Sequence, residues 1–249
     1  MRERIGIWLL RERADDVGRR LEARLGGTLF RGWENATSQK ERFGRVFRDH
    51  SHWVLVMATG IALRIIDGRL LDKRTDPAVV VLDEACRFAI ALLGGHEAGG
   101  NDLAYRVANA VGAVPVVTTA TEALKPLVVG IGCRKDVSAE QIEHAVRHAL
   151  GDRGLEAIRE AATIELKARE SGLVRFCEHH RIPLRVIAAE QIAARAWVTR
   201  SSEWVRKNVG VEGVCEPCAL VACTRGKLIV PKTCLDGVAV AVVEDRLGS

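Results

Sequence analysis

The sequence predicts an α/β protein of two layered domains, residues 1–125 and 126–249, each with a mostly parallel or mixed sheet flanked by helices. Three observations predict it. Short apolar runs alternate with helical patterns through both halves. The alternation pauses between Glu122 and Pro126, then restarts with a second strand, glycine turn and helix. The chain's 249 residues, 48% of them apolar, are enough to fill two modest cores.

The elements follow in order. Ile5 to Leu10 is an apolar run of strand length, and Val17, Leu21 and Leu25 fall at i, i+4 and i+8, which predicts a helix from about Ala14 to Leu25. Trp53 to Met57, Val79 to Leu82, Phe88 to Leu92 and Val114 to Val117 are further strands. Helices intervene near Ser38 to Arg48, Gly60 to Ile66 and Asn101 to Val111. In the second half Val128 to Arg134 is a strand running into a glycine turn. Ser138 and Gln141 then have capping-box spacing ahead of the stripe Ile142, Val146, Leu150. A helix at Gly172 to Arg181, a strand at Leu184 to Ile187, and helices from Glu190, Ser201 and Glu216 come next. Strands at Lys227 to Val230 and Val238 to Val243 close the pattern.

Composition excludes several classes. The net charge of +5 is spread evenly along the chain and aromatics are only 4% of it, so no basic, aromatic-studded nucleic-acid surface is expected. Arg19, Arg20 and Arg24 share one helix and read first as a solvated face, with a phosphate or carboxylate site as the alternative. No run reaches membrane-span length, and the first apolar stretch is too short for a signal peptide. Seven cysteines at irregular spacing read as reduced thiols of a cytoplasmic protein.

Between Leu93 and Leu103 the chain reads GGHEAGGND, four glycines around His96 and Glu97, after a strand and before a helix. Such a turn lets backbone N–H groups approach an anion while polar side chains reach the same place. The structural alternative makes Gly94 to Gly100 a tight turn with Asn101 or Asp102 as N-cap.

These residues sit in a wider resemblance. MATGI, DKRTDPAVVVLDE, GGHEAGGND and VPVVTTATE, all between Met57 and Glu122, resemble the N-terminal domain of the CbiG family of cobalamin-biosynthesis proteins. VGIGCRKDVS, ATIELKARESGL, and GVCEPCALVA followed by KLIVPKT, between Val129 and Thr233, resemble the C-terminal domain of the same family, in family order. The resemblance implies hydrolysis of the δ-lactone of cobalt-precorrin-5A with release of acetaldehyde. It also implies that cobalt enters as part of the substrate, with no cofactor held by the protein itself. Neighbouring enzymes of the same pathway are its implied partners, and a non-catalytic tetrapyrrole carrier is the alternative. The chain departs from the family at Gly94, where Ser is frequent, at Glu97, where an aliphatic residue is, and at Cys218.

Opening a lactone needs an activated water, a donor set for the oxyanion and a proton for the leaving oxygen. His96 is the expected base or acid, with Glu97 beside it; Gly95 and the N–H groups around Gly99, Gly100 and Asn101 are expected to hold an oxyanion or a substrate carboxylate. A macrocycle rich in carboxylates calls for cations, for which Lys73, Arg74 and Arg134 stand in the matching loops. Pairing of Lys73 and Arg74 with Asp72 and Asp76 is the structural alternative. Thr118, Thr119 and Thr121 follow a strand and can orient a ligand, Gly132 lies in the second glycine turn, and Asp83 and Glu84 are spare acid-base candidates.

Glu165 and Lys167 share a face if their segment is a strand, and Glu216 precedes Pro217 at a helix start, where a carboxylate suits the dipole. Cys215 and Cys218 have C-x-x-C spacing but Cys223 and Cys234 do not, so buried apolar thiols are expected and no metal site. Cys133 has no histidine beside it to make a nucleophile, and His179 and His180 read as surface residues.

Overall fold

The computed structural model describes residues 3–34, 38–194 and 213–245. The chain forms two units, Met1–Thr119 and Ala120–Ser249, each with one sheet between two helical layers.

The first unit has six strands, β1 (Ile5–Leu9), β2 (Thr28–Arg31), β3 (His52–Val56), β4 (Ala78–Leu82), β5 (Phe88–Leu93) and β6 (Val114–Val116), in the order β2-β1-β3-β4-β5-β6. All positions of β1, β3 and β4 are buried, which is why they read as unbroken apolar runs; a central strand covered on both faces has no wet side to alternate with. Helices α1 (Asp15–Leu25) and α4 (Gly100–Val111) cover one face, packing Leu21, Leu103 and Val107 on Ile7, Val54 and Val80. Helices α2 (Gln39–Val46) and α3 (Thr59–Ile66) cover the other, where Phe43, Phe47, Ile65 and Ile66 meet Trp8, Trp53 and Val81.

The sheet is mixed, and the point of reversal matters. Strands β2, β1, β3 and β4 are parallel, β5 turns back antiparallel to β4, and β6 runs parallel to β5. Asp83 makes the hairpin: its Oδ1 accepts the backbone N–H groups of Arg87 and Phe88, and its Oδ2 accepts Nε of Arg87. Asp83 is therefore a turn residue and no spare acid. Glu84 pairs with Arg13 across the same end of the sheet.

The second unit has β7 (Leu127–Cys133), β8 (Ile158–Ile164), β9 (Leu184–Ile187), β10 (Lys227–Leu235) and β11 (Val238–Glu244), in the order β10-β11-β7-β8-β9, with β7, β8 and β9 parallel and β10 and β11 antiparallel to their neighbours. Its helices among the described residues are α5 (Ala120–Ala123), α6 (Ala139–Leu150), α7 (Ser171–His180), α8 (Ala189–Ala193) and α9 (Cys215–Ala222). The capping box forms as the spacing predicts: Gln141 N–H donates to Ser138 Oγ at 3.2 Å and Ser138 N–H to Gln141 Oε1 at 2.9 Å.

Two strands lie where the sequence shows no strand pattern. β2 is only half-buried, and β8 carries Arg159 and Glu160 inside an otherwise buried run. Glu165 and Lys167 stand in a 3-10 turn after β8, so the strand-face reading of that pair is corrected. The helix expected from Ser201 lies outside the described residues.

Candidate functional site

Because β5 runs against β4, its carboxyl end lies beside the amino end of β4, with Leu93 opposite Val79. One edge of the first sheet therefore collects three segments far apart in sequence. They are the loop before β4, with Asp72 to Pro77; the loop after β5, with Gly94 to Gly99; and the loop after β6, with Val117 to Thr119. Two contacts tie them together. Lys73 Nζ lies 3.4 Å from Glu97 Oε1, and Asn101 Nδ2 donates to Thr119 Oγ1 at 2.8 Å.

The glycine turn closes on itself. Gly94 O accepts N–H groups from Ala98 and Gly100, and Gly95 O accepts that of Asn101. Gly94 and Gly99 adopt φ of 64° and 79°, a region that favours glycine. A Cβ on Gly95 would come within 2.7 Å of Asn101 Oδ1 and of Thr119 Cγ2, so only glycine lets the turn lie against α4. This corrects one expectation: the N–H groups of Gly100 and Asn101 serve the turn's own carbonyls and are not offered to an oxyanion. What the turn leaves is the side chain of Asn101. It is 9% exposed, its Oδ1 is buried without a partner, and that atom faces Gly95.

His96 and Glu97 are both exposed at the crest of the turn. The Glu97 carboxylate is held below its ordinary range by its own backbone N–H and by the Lys73 ammonium, so it stays ionised and is a poor proton donor. Lys73 pairs with Glu97, not with the neighbouring aspartates of the structural alternative. Arg74 does lie 3.6 Å from Asp72, and Asp76 is taken by Arg48 and by the N–H of Leu71. Thr118 and Thr121 are exposed.

In the second unit the nominated glycines have a packing use. A Cβ on Gly130 would fall 1.8 Å from the Cys215 carbonyl oxygen, and one on Gly132 would fall 3.3 Å from Val214 Cβ. The two glycines thus let the start of α9 cross β7 closely. Arg134 is exposed, with its backbone N–H on Gly237 O. Glu216 is buried and accepts the Lys232 N–H at 2.7 Å, a structural use of a helix-start carboxylate. Cys215 and Cys218 are buried, and burial pushes the Cys215 thiol up to about 12 and that of Cys218 higher still. Lys167 pairs with Glu170, and His180 is half-buried with Nε2 2.9 Å from Glu143 Oε2, which corrects its reading as a surface residue.

Sequence reasoning missed His52 at the start of β3. It is 8% exposed, and its Nε2 lies 3.2 Å from where a Cβ on Gly99 would be. The signal was a histidine opening an apolar strand, which by itself looks like any strand start.

The fold and this edge define a two-unit, layered α/β protein whose polar loops gather where β5 and β6 end. Residues 41–122 match the family model for the cobalamin synthesis G N-terminal region, and residues 127–243 match that for the cobalamin synthesis G C-terminus. The chain belongs to the CbiG family. Among curated relatives, the cobalt-precorrin-5A hydrolase of Salmonella typhimurium is 44% identical over 78 residues, 31% of this chain and 22% of that protein. The match thus spans less than a quarter of that relative's length. The protein named "Probable cobalt-precorrin-5A hydrolase" from Methanocaldococcus jannaschii is 26% identical over 82% of this chain and 88% of its own. Among solved structures, CobE from the cobalamin biosynthetic pathway aligns over 48% of this chain and 89% of its own, at 25% identity and a TM-score of 0.45. Among the described residues no helix is long and apolar enough to cross a membrane.

Proposed function

We propose that this chain hydrolyses the δ-lactone of cobalt-precorrin-5A, with release of acetaldehyde, in oxygen-independent cobalamin biosynthesis. The relatives' names support the reaction. One observation of the fold supports the place: the family segments around Lys73, His96 and Thr119, dispersed over about fifty residues of sequence, meet at a single sheet edge through the Lys73–Glu97 and Asn101–Thr119 contacts.

In this reading water attacks the lactone carbonyl carbon, and His96 takes its proton. The Asn101 amide, anchored by a hydroxyl that can donate or accept, presents a polar end toward the turn. Lys73 and Arg74 bind macrocycle carboxylates, and Glu97 keeps Lys73 in place until substrate competes for it. Gly95, Gly99 and Gly100 shape the turn, and the exposed Thr118 lies in the loop after β6 at the same edge. Cobalt travels within the substrate, and the protein adds no cofactor of its own.

A second reading, a non-catalytic tetrapyrrole carrier, draws support from the exposure of His96. Anaerobic incubation with cobalt-precorrin-5A separates the two. Stoichiometric acetaldehyde and the matching mass loss of the macrocycle support the hydrolase, and binding without acetaldehyde supports the carrier. Full turnover by His96→Ala removes the assigned base and leaves the reaction assignment standing.

A further inference from the structure

The hydrolase reading has His96 take the water proton; the imidazolium so formed is exposed and either returns that proton to the departing oxygen or loses it to solvent, so a second, fixed donor at that oxygen would complete the site. Opening the ring forms a bond from water oxygen to the carbonyl carbon and breaks the bond to the alkyl oxygen. One proton leaves the water and one must reach the departing oxygen. Glu97 is held ionised and Asp83 is locked in a hairpin, so neither supplies it.

His52 is placed differently from His96. It shares a face of β3 with Val54 and Val56, the face that α1 and α4 cover, and the start of α4 lies over it at Gly99. Ser51 Oγ lies 2.9 Å from its Nδ1 and also accepts the Arg4 N–H at 3.1 Å. A hydroxyl can donate to a bare Nδ1 or accept from a protonated one, so the ring keeps this bond in either tautomer and can gain or lose a proton at Nε2. Nε2 faces Gly99, with Glu3 Oε1 at 4.0 Å, too far for a hydrogen bond.

Among the described residues, the charged groups on the Nε2 side are Glu3, Arg106 and Asp102. Glu3 accepts from Arg106 Nη1 at 2.7 Å, which holds its carboxyl below the ordinary range. Arg106 also lies 3.6 Å from Asp102. Glu3 and Arg106 border an open cavity of about 540 Å³ with Arg4, Thr28 and His50, which gives protons a route to Glu3 from solvent.

We infer that His52 is the second proton-transfer group of this site: its Nε2–H protonates the departing oxygen at the first turn of α4, while Ser51 holds Nδ1 and Glu3 faces Nε2. The inference rests on the hydrolase reading.

The test measures acetaldehyde release against pH for wild type, His52→Gln and Glu3→Gln, with affinity followed by titrating the cobalt macrocycle's absorbance. His52→Gln is expected to lose about a hundredfold in kcat/KM with affinity and melting temperature little changed. A general acid must be protonated to act, so activity falls on the alkaline side. Glu3→Gln removes the negative charge facing Nε2 and is expected to move that alkaline limb to lower pH. Glu3 is half exposed, so this variant tests the inference even if His52→Gln fails to fold. Turnover within twofold of wild type in His52→Gln, or an alkaline limb unmoved in Glu3→Gln, overturns the inference alone. Wild-type protein that binds the macrocycle and releases no acetaldehyde overturns the hydrolase reading and this inference together.

Discussion

Asn101, in the first turn of α4, donates its side-chain amide to the hydroxyl of Thr119, eighteen residues on in the loop after β6, and so holds two loops of one sheet edge at 2.8 Å. Loss of this bond should loosen the glycine turn and weaken the unit at once. Thr119→Val leaves a buried amide with no partner at either end and is expected to cost about 1–2 kcal/mol in denaturant unfolding. Thr119→Ser, which keeps the hydroxyl, should recover most of it. If both variants unfold alike, the hydroxyl is not what the amide needs.

The contact between Lys73 and Glu97 is exposed, so it adds little to stability. Lys73→Ala should leave the melting temperature unchanged and raise KM roughly fivefold, with kcat nearly constant. The wild-type KM should also climb more steeply with salt than the variant's. A drop confined to kcat would assign Lys73 to the chemistry instead.

At Gly130 the neighbour is backbone, which cannot swing aside as a side chain can. Gly130→Ala should push the start of α9 off β7 and cost about 3 kcal/mol, read from urea unfolding of the full chain. At Gly132 the space is looser, and the alanine variant should lose less than half as much. Equal losses at both positions would contradict the close crossing at Cys215.

Asp245 gives the second unit an acid-sensitive joint. Burial works against its ionisation, but Arg225 and Arg159 donate to it and hold its carboxyl below the ordinary 3.8. A depressed carboxyl contributes stability that is complete above the unfolded value and disappears as pH falls through the folded one. The wild-type protein should therefore lose stability below about pH 4 more steeply than Asp245→Asn, which starts lower at neutral pH. Parallel acid unfolding curves would show that the joint contributes nothing.

Sequence pattern carried far in the interior and poorly at the edges. The continuous apolar runs of β1, β3 and β4, the stripe of α6 and its capping box are local signals, and each has its element. Strand β8 was hidden because Arg159 and Glu160 break its pattern, and Asp245, the partner that makes Arg159 tolerable there, lies 86 residues away. The reversal at β5 was legible in principle. Five residues separate Leu82 from Phe88, too few for a parallel crossover and right for a hairpin. In the candidate site, the glycine turn and its neighbours could be named from motif residues. The occupation of the Gly100 and Asn101 N–H groups by the turn's own carbonyls could not, since it depends on φ values no spacing encodes. His52 stayed invisible because its meaning comes from Ser51, Glu3 and Gly99 converging on it.

The hairpin at Asp83 has an electrostatic consequence for the whole margin of the first sheet. Helix α1 ends its dipole's negative pole at the margin opposite the hairpin, whereas α4, launched from the reversed strand, begins at that same margin with its positive pole. The two packed helices thus grade the potential sideways, from repelling anions near β1 to attracting them near β5.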